Sequence, residues 1–313
     1  MHPRFAPSTT PGTGAIIAGF RFTPLLTATL LFTACLQLAC SQPSPDAPPS
    51  PGADWLALFN GRDLDGWIVK IHHHDPGVNF GNTFRVEDGI LKVRYDAYGD
   101  FDEQFGHLYY EQPFSYYHLV VEYRFVGELQ PGAPDYTLRN SGVMLHSQDP
   151  RTMPREQNWP ISVEMQFLGG LGDGQPRSTG NMCSPGTHVF FEGRLDTRHC
   201  ISSTSQTYDG DRWVRAEAIV LGDSLITHVI EGDTVLQYTH PQIGGGVVER
   251  YDPAVKEDGK LLTGGFIALQ SEGQPIDFRR VELRNLEGCT DPEAANFRDY
   301  YVRSLPATCR YEE

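Results

Sequence analysis

Short segments of alternating apolar and polar residues recur through residues 55–286, and turn residues separate them. In WPISVEMQFLGG (159–170), for example, four apolar side chains alternate with three polar ones. Each such segment has one apolar face as a strand, and no long segment shows the 3.6-residue period of a helix. The sequence therefore predicts an all-β fold, with two antiparallel sheets packed through their apolar faces in one domain over residues 55–286.

Net charge restricts the class of partner. The chain of 313 residues carries a formal charge of −15 at pH 7. Nucleic acids and anionic membrane surfaces bind basic faces, so neither is expected as a partner. Uncharged ligands such as sugars remain.

The first forty residues have the pattern of an export signal. Arg4 and Arg21 are their only charges, and the apolar run 22–39 ends in LQLAC, which resembles a bacterial lipoprotein signal. We expect residues 1–40 to be this signal, with Cys40 lipidated and the protein held at the cell envelope by that lipid alone. A membrane span over the apolar run and lipidation of Cys35 are the alternatives. Residues 41–54, rich in Pro and Ser, are predicted to be an extended linker.

Four cysteines lie beyond the signal and are spaced as two local pairs. In an oxidising compartment this spacing favours the disulfides Cys183–Cys200 and Cys289–Cys309. The alternative is a metal site made of Cys183, His188, His199 and Cys200.

Several motifs follow one another in a recognisable order. They are LFNGRDLDGW (58–67), FRVEDGILKV (84–93), NSGVMLHS (140–147), WPISVEMQFLGG (159–170), TGNMCSPGT (179–187) and GGFIALQSEGQPIDFRRVELRNL (264–286). Together they resemble the bacterial 3-keto-disaccharide hydrolase family, also described as 3-keto-glucoside 1,2-lyase/3-keto-2-hydroxy-glucal hydratase. The resemblance covers essentially residues 55–286 and implies a concanavalin A-like jelly-roll sandwich. Residues 287–313 are similar to small Cys-bounded tails of exported bacterial proteins, which implies a disulfide-closed tail.

The resemblance also implies an activity. Such an enzyme cleaves the glycosidic bond of a 3-keto glycoside after removal of the C2 proton, or hydrates the resulting 2-hydroxy-glucal. The chain has no glycine-rich nucleotide-binding motif in a βαβ context, so a separate oxidoreductase is expected to make the keto group. A non-catalytic glycan-binding sandwich is one alternative. An ordinary glycoside hydrolase that pairs Glu164 with Glu272 or Asp277 is another.

Glu164 and His146 are the catalytic candidates. Glu164 lies on the polar face of its predicted strand with Gln166, where it could act as the base at C2. His146 is predicted on the polar side of NSGVMLHS with Gln148, where it could protonate the leaving oxygen. A solvated carboxylate and a structural histidine are the alternative interpretations.

Polar and aromatic residues near these strands are candidates for substrate binding. They are Gln166, Asn140, Arg139, Arg124, Trp159 and Tyr109. Trp159 and Tyr109 could stack on a sugar ring or pack in the core. Arg124 could instead form an ion pair with a neighbouring carboxylate.

The motif HHHDPG (72–77) raises the question of a cofactor. Alternate residues of a strand share a face, so His72 and His74 could hold a divalent metal together with Asp75 or a distant residue. A polar loop is the alternative, and no other cofactor is indicated.

Overall fold

A computed structural model describes residues 54–312. The predicted signal, the linker up to residue 53, and both candidate lipidation sites, Cys35 and Cys40, lie outside the described residues. In the described chain the helices are five three-residue 3₁₀ turns: Phe80–Asn82, Asp135–Thr137, Pro150–Thr152, Pro253–Val255 and Pro306–Thr308. No helix within residues 54–312 is both long enough and apolar enough to span a bilayer.

Strands, numbered along the chain, form two large antiparallel sheets. The ten-stranded sheet has the spatial order β11 (Arg194–Asp196), β10 (Thr187–Phe191), β15 (Asp233–Ile243), β14 (Leu225–Ile230), β13 (Val214–Leu221), β6 (Tyr116–Phe125), β17 (Ile276–Asn285), β4 (Ile90–Val93) and β3 (Phe84–Glu87), and β1 (Leu56–Ala57) pairs with β17. The seven-stranded sheet has the order β12 (Cys200–Ile201), β9 (Asn181–Cys183), β8 (Val163–Leu168), β7 (Asn140–Ser147), β16 (Phe266–Ser271), β5 (Gly106–Tyr110) and β2 (Trp67–Ile71). The predicted all-β, jelly-roll-like sandwich of two antiparallel sheets is confirmed.

The hydrophobic core lies between the two sheets. Val163, Met165 and Phe167 of β8 point into it, as their alternation predicts. The ring of Phe167 stacks on Tyr123 of β6, with centroids 4.2 Å apart and planes 10° apart. Burying these apolar faces from water is the main stabilising term, and it forces the polar residues of β8 onto the opposite face of the seven-stranded sheet.

Tight turns set the register of the hairpins. Glu231 and Gly232 join β14 to β15 with φ of 51° and 91°. Two consecutive residues with positive φ match the twist of the flanking strands, which is why a glycine is required here. In the C-terminal tail, a small parallel pair joins β18 (Glu287–Gly288) to β19 (Arg303–Ser304).

Both predicted disulfides are present. Cys183–Cys200 joins β9 to β12, and Cys289–Cys309 closes the C-terminal tail. Their sulfurs are bonded to each other, so the alternative of a thiolate metal site at Cys183 and Cys200 is not formed. Two disulfides indicate a protein of an oxidising, extracytoplasmic compartment.

Candidate active site

A cavity of about 550 Å³ lies on the face of the seven-stranded sheet that points away from the core. Its lining combines two carboxyl groups, several amides, a disulfide and aromatic rings. The lining residues are Tyr136, Asn140, Trp159, Glu164, Gln166, Leu168, Arg177, Cys183, Pro185, His199, Cys200, Val247, Gln270 and Glu272. Four predicted site residues, Glu164, Gln166, Asn140 and Trp159, are therefore brought together here.

A row of polar residues crosses the outer face of the seven-stranded sheet, which forms the floor of the cavity. Lys70 pairs with His107, His107 with Gln270, and on the far side Gly142 with Gln166 and Gln166 with Asn181. Gly142 is the one member without a side chain. Because Leu269 pairs with Val143, Gln270 stands beside Gly142, and the row is continuous.

The missing side chain at Gly142 makes room for Glu164. A Cβ at Gly142 would lie 2.8 Å from Glu164 Cγ, and closer still to a carboxylate oxygen. Such distances are not tolerated, so the Glu164 side chain bends across the neighbouring strand because that strand carries glycine there. The carboxyl group consequently lies over the middle of the floor.

Burial changes the acidity of Glu164. The side chain is 7% exposed, and loss of solvation raises its pKa to about 8. Burial penalises the charged form of a carboxyl, so a raised pKa is the expected direction. A carboxylate with this pKa is a much stronger base than an exposed glutamate, which is what abstraction of a carbon-bound proton requires.

Glu272 is the second carboxyl group of the cavity. It follows the last residue of β16, is 5% exposed, and its Oε2 has no hydrogen-bond partner within residues 54–312. Burial, and then the charge of Glu164, raise its pKa well above the usual value. Because like charges in one buried site oppose each other, the pair carries one negative charge at most near neutral pH, and Glu164 ionises first.

Amides surround the carboxyl pair. Asn181 Nδ2 donates to Gln166 Oε1 over 3.0 Å, which leaves the Gln166 amino group to face the cavity as a donor. Buried Asn140 Oδ1 and Gln270 Oε1 have no partner in the described chain. Buried acceptors are costly when unpaired, so these oxygens are suited to the hydroxyl groups of a polar ligand.

Trp159 and Tyr136 form the aromatic part of the wall. The Trp159 ring packs against Phe105, with centroids 4.8 Å apart, and edge-on to His107 at 5.3 Å. Tyr136 is 60% exposed. An aromatic ring beside polar groups is typical of sugar sites.

Two predicted site residues are not in the cavity, because local structure redirects or covers them. His146 has φ of 48° at a register shift of the β7–β16 pair, and this bulge turns its ring into the interior. There Nε2 bonds the Gly222 carbonyl oxygen over 2.9 Å and the ring packs edge-on to Tyr117. The prediction that His146 faces the site is wrong. Tyr109 is fully buried, and its hydroxyl donates to Met153 Sδ over 3.1 Å, so no sugar can stack on it.

Three predicted charged residues also lie elsewhere. Arg124 belongs to β6 of the ten-stranded sheet, and its Nε donates to Asp277 Oδ2 over 3.0 Å. Asp277 thus serves an ion pair, and Glu272 is the carboxyl that meets Glu164. Arg139 lies 3.6 Å from Asp211 Oδ1 and donates to the Gly210 carbonyl oxygen, outside the cavity lining.

The predicted pairing of His72 with His74 is also corrected. Strand β2 ends at Ile71, so alternation does not extend to these histidines. His74 Nε2 bonds Gln104 Oε1 over 3.0 Å and its ring stacks on Phe80, whereas the His72 ring stacks on His73.

Several cavity residues escaped the sequence analysis. Arg177 lies in a loop and donates to the carbonyl oxygens of Leu138, Arg139 and Gly169, which ties that loop to the end of β8. His199, considered only as a metal ligand, lines the wall beside the disulfide, and burial lowers its pKa. Loop residues of this kind show no periodicity, so only the fold reveals them.

Replacing Gly142 with alanine tests whether the position of the Glu164 carboxyl matters. We expect kcat on the substrate proposed below to fall by roughly 10- to 100-fold, since the new Cβ must displace that carboxyl. Gly246→Ala is the matched control, because a Cβ there meets nothing within 4 Å. Steady-state kinetics with thermal unfolding as the folding check would measure both. Unchanged kcat in folded Gly142→Ala would show that this placement is unimportant.

The sequence model of the 3-keto-alpha-glucoside-1,2-lyase-like domain family matches residues 54–284. The chain belongs to this family. It is accordingly a carbohydrate-active β-sandwich protein, as the motif resemblance implied. No curated protein matches the chain.

Several solved structures are similar to the chain at low sequence identity. A Parabacteroides distasonis protein assigned as a glycosyl hydrolase is 16% identical, with a TM-score of 0.46 over 74% of this chain and 94% of that one. LamA of Zobellia galactanivorans, in complex with laminaritriose and laminaritetraose, is 10% identical, with a TM-score of 0.42 over 73% and 96%. A Bacillus subtilis protein with a galectin-like fold is 13% identical, with a TM-score of 0.36 over 74% and 94%.

Proposed function

We propose that this protein cleaves 3-keto glycosides by elimination and then hydrates the unsaturated product. The observation that carries the proposal is the buried carboxyl pair Glu164 and Glu272 in one cavity, with different tendencies to ionise. Family membership supports the substrate class. A ketone at C3 acidifies the hydrogen on C2, so a carboxylate can remove that proton if it is buried and well placed.

In the elimination half, Glu164 as carboxylate takes the C2 proton and becomes a carboxylic acid. The electrons of the C–H bond form an enediolate, whose charge develops on the C3 oxygen. Gln166 lines the cavity, and because its Oε1 accepts from Asn181, its amino group is our candidate donor to that oxygen. The C1–oxygen bond then breaks, the ketone re-forms, and neutral Glu272 gives its proton to the leaving oxygen.

In the hydration half, each carboxyl group does the opposite of what it did in the elimination half. Water adds to C1 of the 2-hydroxy-glucal, Glu272 as carboxylate takes a proton from that water, and Glu164 returns its proton to C2. Both carboxyl groups end in their starting states. One water is consumed, and a 3-keto sugar and an alcohol are released. A pair that keeps one negative charge throughout avoids a doubly charged buried site.

Ordinary glycoside hydrolysis is the second candidate, because it also uses two carboxyl groups in one cavity. Paired substrates distinguish the two functions. We expect turnover of a 3-keto glucoside and none of the parent glucoside, measured by release of the aglycone. Cleavage of the parent would favour the second function, and binding of either sugar without turnover would favour a glycan-binding module.

We further propose that the protein works at the cell envelope, exported by residues 1–40 and held by a lipid on Cys40. The disulfides Cys183–Cys200 and Cys289–Cys309 support export. A separate oxidoreductase would supply the 3-keto substrate, because the proposed chemistry requires a ketone at C3 that it does not make.

A further inference from the structure

A second cavity, of about 430 Å³, adjoins the cavity that contains Glu164 and Glu272. The two cavities share Tyr136 and Trp159 in their linings. The second contains His72, His73 and Glu156, none of which has a part in the proposed reaction. Its polar lining therefore requires a separate explanation.

Backbone conformation brings the two histidines together. His73 has φ of 69°, which is unusual for a residue other than glycine and commonly marks a functional position. As a result, the rings of His72 and His73 stack with centroids 3.7 Å apart, instead of pointing to opposite faces. Adjacent histidines thus present their nitrogens to the same cavity.

Hydrogen bonds fix the orientation of the two histidine rings and show which ring nitrogen carries the lone pair in His72. His72 Nδ1 lies 3.0 Å from the Glu103 carbonyl oxygen and must carry the proton in that bond, so the lone pair is on Nε2. Metal-binding histidines are held in this way by a backbone carbonyl on the other ring nitrogen. His73 Nδ1 lies 2.8 Å from Glu156 Oε2. One ligand atom from each of His72, His73 and Glu156 lies within 4.8 Å of the other two.

We propose that His72, His73 and Glu156 bind a divalent transition-metal ion of the zinc type. Two imidazoles and one carboxylate are donors that suit Zn²⁺ and its neighbours. With Glu103 and Glu249 the lining holds three carboxylates, against the guanidinium of Arg250 and that of Arg155, whose Nε lies 3.9 Å from Glu156 Oε1, so negative charge is in excess around the cavity. Three protein ligands leave coordination positions open for water or an oxygen of a bound ligand.

The test is metal binding to protein purified without a histidine tag and stripped with a chelator. Zn²⁺ titration by calorimetry should show about one ion per chain, and Co²⁺ should give the visible absorption of a low-coordinate site. His72→Gln and Glu156→Gln should each weaken binding by at least ~10-fold. His74→Gln is the matched control, because His74 bonds Gln104 and stacks on Phe80 away from the cluster.

Two outcomes would overturn the assignment. One is the absence of saturable binding by folded wild-type protein, and the other is an equal loss of affinity in His74→Gln. Thermal unfolding of each variant without metal identifies any that fail to fold. If His72→Gln fails to fold, Glu156→Gln still tests the site, because the Glu156 side chain is half-exposed. The readout is binding, so the result does not depend on whether the carboxyl pair turns over 3-keto glycosides.

Discussion

Glu164→Gln is expected to lower kcat on a 3-keto glucoside by about 10²- to 10⁴-fold, the usual contribution of a general base. The amide keeps the shape of the side chain over Gly142 but cannot accept the C2 proton. KM should change little, because the lost interaction develops only as the proton moves. Stopped or continuous assays of aglycone release with saturating substrate would measure the effect.

The control for this change is Glu111→Gln. Glu111 follows β5 in the same sheet, but it is exposed and outside the cavity lining. It should keep full activity. A folded Glu164→Gln variant that retains wild-type kcat would remove Glu164 from the mechanism.

Glu164→Gln should lose activity but gain stability. The pKa of Glu164 is about 8 in the folded protein and near 4.5 when exposed. Between these values the folded state holds a proton that the unfolded state has released, so this group lowers stability as pH rises, by up to about 1.4 kcal/mol per pH unit. Glu164→Gln should therefore unfold at a higher temperature than wild type at pH 8 and at the same temperature at pH 4. Loss of activity with a gain in stability distinguishes an active-site group from a structural one.

The pattern of side chains predicted the sandwich better than it predicted the site. Alternation placed Val163, Met165 and Phe167 in the core and Glu164 on the other face, because a regular strand permits only that division. It misplaced His146 because a single bulge, with no signature in the letters NSGVMLHS, reverses the direction of the side chain. Alternation also says nothing about what covers a face, so it did not reveal that Met153 covers Tyr109.

Contacts between residues on different strands were likewise not predictable from the sequence. Glu272 and Asp277 are five residues apart and were equivalent candidates from the sequence. The chain passes from the seven-stranded to the ten-stranded sheet between them, which leaves Glu272 in the cavity and gives Asp277 to Arg94 and Arg124. Similarly, the space that Gly142 provides for Glu164 depends on the β7–β8 register, which is a property of the folded sheet.

Glu272→Gln is expected to lower kcat by about 10²-fold or more on a 3-keto glycoside with an alkyl or sugar leaving group, and far less on the 3-keto 4-nitrophenyl glycoside. The amide has no proton to give, and an alkoxide cannot leave without one, whereas 4-nitrophenolate can. Glu164→Gln serves as the contrasting variant, because loss of the C2 base should slow both substrates alike. Equal loss on both substrates in Glu272→Gln would contradict a role as the acid.

The pH profiles of wild type and Glu272→Gln assign the two groups. In wild type, kcat/KM should rise with pH as Glu164 ionises around a pKa of about 8, and fall only at higher pH as Glu272 loses its proton. In Glu272→Gln on the 4-nitrophenyl substrate, the rise should remain near the same pH, because burial and not Glu272 raises the pKa of Glu164. The fall at high pH should disappear, because the group that ionised there is gone. A rise that moves towards pH 4.5 in the variant would mean that Glu272 contributes to the raised pKa of Glu164, and that burial of Glu164 alone does not set the rising limb of the profile.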